Sequence, residues 1–232
     1  MNDVSLGLAF YGVFLVSVLL HEAAHAFTAA KLGDPTAYYH GLVTLDPLPH
    51  IRRSPVGLLA VPVISYIMGG WMMGWASVPV DPFWARENRK KSALVSLAGP
   101  AANLGLLILA VLAIRGGMLL GFFHSPESTE FWRITVANSA GIGNSSAIML
   151  SILFSENLLL LVFNLIPLPP LDGSNVLLYF LRANEAAKYE RFLYNPTHML
   201  IGLVAAWQLF GLVCRPIQVF ALNLLYPGAG YH

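Results

Sequence analysis

Long apolar blocks separated by short polar segments form the dominant pattern of the chain. Stretches without any Asp, Glu, Lys or Arg run through residues 54–80, 92–114, 134–155 and 192–214. A membrane-spanning helix needs about 20 predominantly apolar residues, so each block is long enough to cross or enter a bilayer. The pattern therefore predicts a membrane protein with several embedded segments.

Turn-forming residues divide these blocks into separate helices. Gly33-Asp34-Pro35 ends the first block, and Pro167 ends a later one because proline cannot donate a helical hydrogen bond. We predict an all-α polytopic membrane protein with about five to six membrane-embedded helices, and we expect residues 1–232 to form a single domain. The predicted helices cover Leu6–Lys31, Ala93–Ile114, Ala147–Ile166 and the stretch from Asp172 to about Leu181, and two further apolar blocks run Val56–Val78 and Met199–Tyr226.

The composition excludes several classes of protein. Hydrophobic residues make up 56% of the 232 residues and charged residues only 11%, less than half of the roughly 25% found in soluble domains. A soluble enzyme and a disordered chain are therefore excluded. The net charge of +1 offers no basic surface for nucleic acid, and the single cysteine, Cys214, excludes an internal disulfide.

The distribution of Lys and Arg predicts an orientation in the membrane. The first helix follows Asp3 rather than a basic segment, so we interpret it as a retained membrane helix and not as a signal peptide. If this helix enters from outside, most of the 13 basic residues fall on one side, the exceptions being Arg115, Arg133 and Arg215. We expect a multi-pass membrane protein with most of its basic residues toward the cytoplasm.

The block Val56–Val78 conflicts with a simple membrane span. Both of the basic segments that flank it are assigned to the cytoplasmic side of the membrane. A single crossing would instead place the second of them, Arg86–Lys91, outside. Pro62 and Gly69-Gly70 interrupt it, which favours a re-entrant or bent element lining a water-filled cavity. We interpret the neighbouring stretch Tyr38–Leu45 as a short β-strand or hairpin arm.

The sequence His21-Glu22-Ala23-Ala24-His25 is the strongest chemical signal in the chain. Residues four apart share one face of a helix, so His21 and His25 are placed to bind one zinc ion. Glu22 is placed to act as general base toward the hydrolytic water. Ionisable groups at the end of an apolar helix are usually functional, although two solvated histidines at a helix end are the alternative.

A catalytic zinc site needs a third protein ligand. Asp172 is one candidate, because the prolines before it hold an extended backbone in place. The same position, directly before Gly173, also suits an N-cap of the next helix, so spacing alone leaves ligand and cap open. The other histidines lie in loops, near helix ends or at the terminus: His40, His50, His124, His198 and His232.

Three separated motifs resemble those of the site-2 protease family of intramembrane zinc metalloproteases. They are His21–His25, Leu97–Leu104 with the sequence LAGPAANL, and Asn164–Gly173 with the sequence NLIPLPPLDG. The loop Gly41–Ile51 and the stretch Gly74–Pro82 resemble the small branch of this family that has no appended soluble domains. The resemblance covers about residues 6–182, and the combination of motifs is far more specific than any one of them.

This resemblance implies an intramembrane zinc endopeptidase that hydrolyses peptide bonds within or near transmembrane segments of other membrane proteins. It implies one Zn²⁺ per chain, Glu22 as catalytic base, and the ligand set His21, His25 and Asp172. The expected partners are a membrane-protein substrate and the lipid bilayer. The expected location is a prokaryotic cell membrane, with the active site toward the cytoplasmic side and the β-element and re-entrant segment near it. No residue identifies the substrate, and the oligomeric state cannot be read from the sequence.

The resemblance also implies that Asn103 and Asn164 bind the substrate backbone or the oxyanion. An asparagine in a membrane helix needs a hydrogen-bond partner, and the alternative for both residues is a bond to a neighbouring helix. Asn157 lies seven residues before Asn164 on the same helical face and is expected to support the site. The neighbouring Glu156 belongs to no motif, and its polar flanks favour the outer membrane interface over a cavity-lining position.

The alternative function is a non-proteolytic membrane protein, such as a metal transporter or an inactive scaffold. Intramembrane His, Asp and Glu also mark ion pathways. A transporter usually shows an internal repeat, and none is visible in this sequence. The chain departs from the small protease branch at Leu42, Arg52 and Ser174, none of which is an expected zinc ligand.

Overall fold

Four long helices dominate the structure, a computed structural model that describes residues 3–193 and 195–232. They are long and apolar enough to cross a bilayer, and they cover Val4–Leu32, Arg89–Leu119, Ile142–Asn164 and Pro196–Leu225. A bent pair of shorter helices, with 112° between them, adds a fifth candidate span if it is counted as one. An all-α polytopic membrane fold is thus confirmed, with four to five spans among the described residues where five to six embedded helices were predicted.

The helices follow one another with short connections. In chain order they are α1 (Asp3–Leu32), α2 (Thr36–Tyr39), α3 (Pro47–Arg53), α4 (Val61–Gly69), α5 (Pro82–Glu87), α6 (Arg89–Leu119), α7 (Ile142–Asn164), α8 (Asp172–Val176), α9 (Ala183–Leu193) and α10 (Pro196–Leu225). A π-helical turn precedes α4 and a 3-10 turn follows α8, at Val56–Ala60 and Leu177–Tyr179. Two short strands pair antiparallel, β1 (Phe123–His124) and β2 (Val136–Ala137).

The same local signal begins three of the helices. Asp46, Asp81 and Asn195 each accept a hydrogen bond from the backbone N–H two residues later, and each is followed by a proline at the first helical position. A side-chain acceptor at the N-cap satisfies a free helical N–H, and proline suits the next position because its φ is already helical. These caps set the register of α3, α5 and α10.

The helices α1, α6 and α7 pack against one another and form the centre of the molecule. One apolar cluster joins α1 to α7 and to the bent pair, and it includes Phe10, Phe14, Leu58 and Ile152. By contrast, α10 lies at the periphery, with only 11% of its most apolar stretch buried. An apolar helix exposed in this way is suited to contact lipid.

Three arginine and lysine contacts mark the two ends of this bundle. At one end, Lys91 donates to the Leu32 carbonyl at 3.2 Å, and Arg89 pairs with Glu190 at 2.7 Å. The end of α1, the start of α6 and α9 therefore meet on one side. At the opposite end of α6, Arg115 donates to the Leu225 carbonyl at 3.2 Å. Arg89 and Lys91, two of the basic residues predicted to lie on one side, are thus at the same end of the bundle.

The predicted re-entrant element is a helix that folds back on itself. Gly70 ends α4 in the left-handed region, with φ of 72°, and the following residues run extended beside the helix that they leave. The Met73 N–H donates to Ser65 Oγ at 3.0 Å, and the Trp75 N–H donates to the Gly57 carbonyl at 3.2 Å. The element thus begins and ends on the same side, and its second half is extended, a detail that the apolar pattern did not predict.

The prediction of a β-strand at Tyr38–Leu45 is wrong. The first residues of this stretch belong to α2 and the rest form turns, because Asp34 accepts the Thr36 N–H at 3.0 Å and Pro35 favours a helix start. The two-stranded sheet lies elsewhere, between the end of α6 and α7. Extended backbone near the active site is supplied instead by the segment 71–80, which we call the return segment.

Candidate metal and active site

Three side chains that the sequence predicted as ligands converge at one point. His21 and His25 lie one turn apart on α1, and their Nε2 atoms are 3.0 Å from each other. Oδ2 of Asp172, on the first turn of α8, lies 3.1 Å from His21 Nε2 and 3.3 Å from His25 Nε2. Both histidines are buried, so the three atoms face one another away from solvent.

Hydrogen bonds to the outer nitrogens fix the tautomers of both histidines. His25 Nδ1 lies 2.6 Å from the Val95 carbonyl, which can only accept, so this nitrogen carries the proton. His21 Nδ1 lies 2.6 Å from Asn103 Oδ1. Metal-binding histidines in proteins are commonly oriented by such outer partners, which leave the inner nitrogen with a free lone pair.

The orientation of the Asn103 amide follows from a chain of hydrogen bonds that ends at a backbone carbonyl. Asn157 Nδ2 donates to the Leu153 carbonyl at 2.8 Å, which makes Asn157 Oδ1 an acceptor. That oxygen accepts from Asn103 Nδ2 at 2.9 Å, so Asn103 Oδ1 is left to accept from His21. Ser17 Oγ, 3.0 Å from Asn157 Nδ2, belongs to the same buried network.

This donor set fits a divalent cation. With both Nδ1 atoms protonated, two nitrogen lone pairs and a carboxylate oxygen point at one another, and none of the three brings a proton to the contact. The Asp172 Oδ2 atom is buried and has no hydrogen-bond partner among the described residues. Two imidazole nitrogens and one carboxylate oxygen form a ligand set typical of catalytic zinc, which keeps a fourth position open.

A glycine of α6 lets that helix approach the histidines. A Cβ added at Gly99 would collide with Nε2 of both His21 and His25. Any side chain at this position would therefore occupy the space in which the ligand atoms meet. The sequence contained Gly99 within the LAGPAANL motif, but nothing in the local pattern assigned it this role.

The Asp172 carboxylate is turned toward the histidines and not toward its own helix. No capping bond from this side chain to α8 is present in the described part of the chain, so the cap interpretation gains no support. A carboxylate is the form in which Asp172 would bind a metal, and its Oδ2 atom faces the two Nε2 atoms that would share that metal.

Glu22 is buried beside the cluster on an adjacent face of α1. Both histidines, Asp172 and His50 all lie close enough to act on its carboxyl group. Its carboxyl makes no hydrogen bond to the residues that the structure describes. The position is suited to a base that serves an incoming water molecule, because the carboxyl is not committed to a structural contact.

The two asparagines expected to bind substrate differ in their surroundings. Asn103 is fully buried and both ends of its amide bind within the protein, so it orients His21 instead of facing a substrate. Asn164, the last residue of α7, is only half-buried and has no recorded partner in the described ranges. Asn157 holds the Asn103 amide, as its expected supporting role required.

The remaining histidines stay outside the cluster. Each has a hydrogen bond of its own at another place in the fold: His40 to Thr36, His50 to Thr44, His124 to Asn138, His198 to Phe192 and His232 to Gly230. Among the described residues, His21, His25 and Asp172 form the group of ligand-type side chains able to hold a metal.

The interface position predicted for Glu156 is wrong. The residue is fully buried in the second half of α7, and both carboxyl oxygens lack a partner within the described ranges. Ile148, Ile152 and Leu160 lie on the same helical stripe at intervals of four and pack into the cluster around α1. The prediction failed because α7 starts at Ile142, which places Glu156 well inside the helix.

Comparison with known proteins identifies the family to which the chain belongs. The model of Peptidase family M50 matches residues 9–207, which is most of the chain and includes all three ligands and Glu22. The chain belongs to peptidase family M50. No solved structure matches the chain.

Curated relatives in this family carry names of the same kind. The chain is 35% identical over 164 residues to "Putative zinc metalloprotease YwhC" of Bacillus subtilis, an alignment that covers 70% of this chain and 64% of that protein. It is 35% identical over 177 residues to "Putative zinc metalloprotease Rip2" of Mycolicibacterium smegmatis, covering 73% and 59%. For Rip2 of Mycobacterium tuberculosis the identity is 34% over 173 residues, covering 72% and 57%. The chain thus matches about three fifths of the length of these relatives.

Proposed function

We propose that this M50 family member is a zinc endopeptidase that cleaves peptide bonds within or near transmembrane segments of membrane proteins. The observation that carries the proposal is the convergence of His21 Nε2, His25 Nε2 and Asp172 Oδ2 within 3.3 Å of one another, with both Nδ1 protons held elsewhere. A bound zinc ion would polarise the scissile carbonyl and acidify the hydrolytic water.

Glu22 performs the proton transfers in this mechanism. Its carboxylate takes a proton from the hydrolytic water as the water attacks the scissile carbonyl, and it then delivers that proton to the departing amine. The carboxyl is buried and makes no structural hydrogen bond in the described chain, so it can turn between the two positions. Asn103 and Val95 keep His21 and His25 in the orientation that exposes their Nε2 atoms.

The return segment is the proposed binding surface for an unwound substrate. It passes along α1, because a Cβ at Gly74 would collide with Phe14 and the Gly57 carbonyl, while Val78 packs on the cluster around Ala26. The histidines lie between these two levels of α1. An extended substrate that pairs with this segment as an added strand would present its carbonyls beside the cluster, and the half-buried Asn164 amide is a further candidate contact.

The site is proposed to act as one unit at the cytoplasmic face of the membrane. The ligands come from α1 and α8, and α6 and α7 orient them, so we treat residues 1–232 as a single protease domain. Lys91 and Arg89 lie at the same end of the bundle as the end of α1, a few residues beyond His25. Basic residues favour the cytoplasmic side.

Replacement of Glu22 tests the proposed mechanism. A suitable probe is a transmembrane peptide with a glycine and proline break, labelled with a fluorophore and a quencher and reconstituted with zinc-loaded protein in liposomes. We expect Glu22→Gln to retain stoichiometric zinc and to lose cleavage by at least about 100-fold. The matched control is Glu87→Gln, an exposed glutamate at the end of α5, which should cleave as the wild type does.

Two outcomes would contradict the proposal. Full cleavage by the Glu22→Gln variant would remove Glu22 from the mechanism. Zinc flux across the liposome membrane without peptide cleavage by the wild type would favour the alternative of a metal transporter.

A further inference from the structure

His50 in α3 is a buried histidine that the proposed chemistry does not use. Only 1% of the residue is exposed, and its Nε2 lies 3.1 Å from the Thr44 carbonyl oxygen. A carbonyl accepts, so Nε2 carries the proton. Nδ1 is buried without a hydrogen-bond partner in the described part of the chain. Buried nitrogens are rarely left unpaired, because the lost hydrogen bond to water destabilises the fold.

The contacts of the surrounding loop place it opposite one face of α1. Val18, Glu22 and Ala26 are spaced by four residues, so they share that face. Leu42, in the loop before α3, packs with Ala26, one turn beyond Glu22. On the other side of Glu22, Ile51 of α3 packs against the cluster that contains Val18.

His50 lies in the chain between these two contacts, at the level of Glu22 on α1. The residue directly precedes Ile51, and its Nε2 is bonded to Thr44, two residues after Leu42. In agreement with this position, His50 is among the groups close enough to act on the Glu22 carboxyl. The Nδ1 atom of His50 is buried and lacks a partner among the described residues.

We propose that His50 is a positioning residue for Glu22, linked through one bridging water between Nδ1 and the carboxyl. This inference rests on the proposed peptidase function. The neutral imidazole offers a lone pair at Nδ1, and a carboxylate is also an acceptor, so the two groups cannot bond directly. A water molecule carries two donors and joins two acceptors, and in this way it holds the carboxyl toward the hydrolytic water.

Two amide variants separate this role from a purely structural one. The amide of glutamine reaches the place of Nε2, so His50→Gln keeps the bond to Thr44 and removes Nδ1. The shorter amide of asparagine reaches the place of Nδ1, so His50→Asn keeps the link to Glu22 and gives up the bond to Thr44. The two variants thus retain opposite halves of the imidazole.

The kinetic test uses the labelled transmembrane peptide and the zinc-loaded protein. We expect His50→Gln to lower kcat by about 10- to 100-fold with KM and zinc content unchanged, the range typical for partners that orient active-site groups. His50→Asn should lose less kcat than His50→Gln, even if it is less stable to heat. The reverse order, in which His50→Gln has a kcat close to that of the wild type and His50→Asn a lowered one, would overturn the proposal. It would show that His50 serves only the structure of the loop.

A spectroscopic measurement tests the same link without turnover. In protein labelled with ¹⁵N-histidine, the ring signals of His50 are identified by their loss in the His50→Gln variant. We expect Glu22→Ala to move the Nδ1 signal of His50 and to leave its Nε2 signal in place. If wild type cleaves no peptide, the proposed function fails, but a moved Nδ1 signal still supports the link, whereas an unchanged Nδ1 signal refutes it.

Discussion

A single buried carboxyl group inside α7 lowers the stability of the folded protein. Glu156 is fully buried, and neither of its oxygens has a hydrogen-bond partner within the described residues. Its neighbours one turn away, Ile152 and Leu160, belong to the apolar cluster against α1. A buried carboxyl in such surroundings is destabilising in either protonation state, because its oxygens lose their hydrogen bonds to water.

Replacement of Glu156 by leucine should therefore stabilise the protein. We expect Glu156→Leu to raise the free energy of unfolding by about 1–3 kcal/mol, the cost of one unpaired buried group. Glu156→Gln keeps the polar atoms and should show no such gain. Thermal unfolding in detergent micelles measures both.

The control for this change is Glu127→Leu, at an exposed position in the loop between α6 and α7, which should alter stability by less than about 0.5 kcal/mol. A loss of stability or of zinc in Glu156→Leu would mean that the carboxyl has a partner after all, and our assignment of a net cost would be wrong.

The individual site residues show how far the site could be predicted from the sequence. His21 and His25 were predictable because a spacing of four places two side chains on one helical face whatever the rest of the fold does. Asp172 followed only from family resemblance, since spacing left a helix cap equally open. The role of Asn103 was not predictable, because its partner Asn157 comes from another helix and only tertiary packing brings the two amides together.

At the level of elements, the close approach of α6 to α1 depends on Gly99. We expect Gly99→Ala to abolish zinc binding, because the added Cβ would collide with both Nε2 atoms. Peptide cleavage should disappear with the metal, while the helical content stays that of the wild type. Zinc content by mass spectrometry and far-UV circular dichroism measure the two effects.

Gly105→Ala is the matched control on the same helix. A Cβ at Gly105 meets no atom within 4 Å, so this variant should keep its zinc and gain up to about 1 kcal/mol from helix propensity. Stoichiometric zinc in Gly99→Ala would show that the histidines can move away from α6, contrary to the packing described above.

Prediction of the elements succeeded where apolar length alone decides the structure. The long blocks that became α1, α6, α7 and α10 were recognised because about 20 apolar residues suffice for a span. It failed at Tyr38–Leu45, where the short-range effect of Asp34 and Pro35 outweighs a pattern suited to a strand. It also missed the extended half of the re-entrant element, which forms because Gly70 turns the chain back onto Ser65 and Gly57.

For the whole molecule, the metal ligands join segments that are distant in the chain. His21 and His25 belong to α1, whereas Asp172 follows α7, some 150 residues later. An ion bound only by the folded protein stabilises it by mass action. We expect zinc at 100 times its dissociation constant to add about 2.7 kcal/mol to the free energy of unfolding, seen as a higher Tm than in chelator-treated protein.

Asp172→Ala should abolish this zinc-dependent shift in Tm. The control is His40→Ala, which removes an exposed histidine outside the cluster and should leave the shift intact. An undiminished shift in the Asp172→Ala variant would remove Asp172 from the ligand set and return it to the interpretation as a helix cap.

The buried hydrogen bonds through Asn157 and Asn103 also determine which groups near the metal site are free to transfer a proton. Because the Leu153 carbonyl cannot donate, every link from Asn157 through Asn103 to His21 Nδ1 has one polarity, and the Val95 carbonyl imposes the same polarity on His25. With a cation bound, each imidazole would therefore have both nitrogens occupied, one by a proton that is held in place and the other by the metal. Within the His-Glu-x-x-His motif, the histidines are reserved for binding, and a shuttled proton is left to the glutamate.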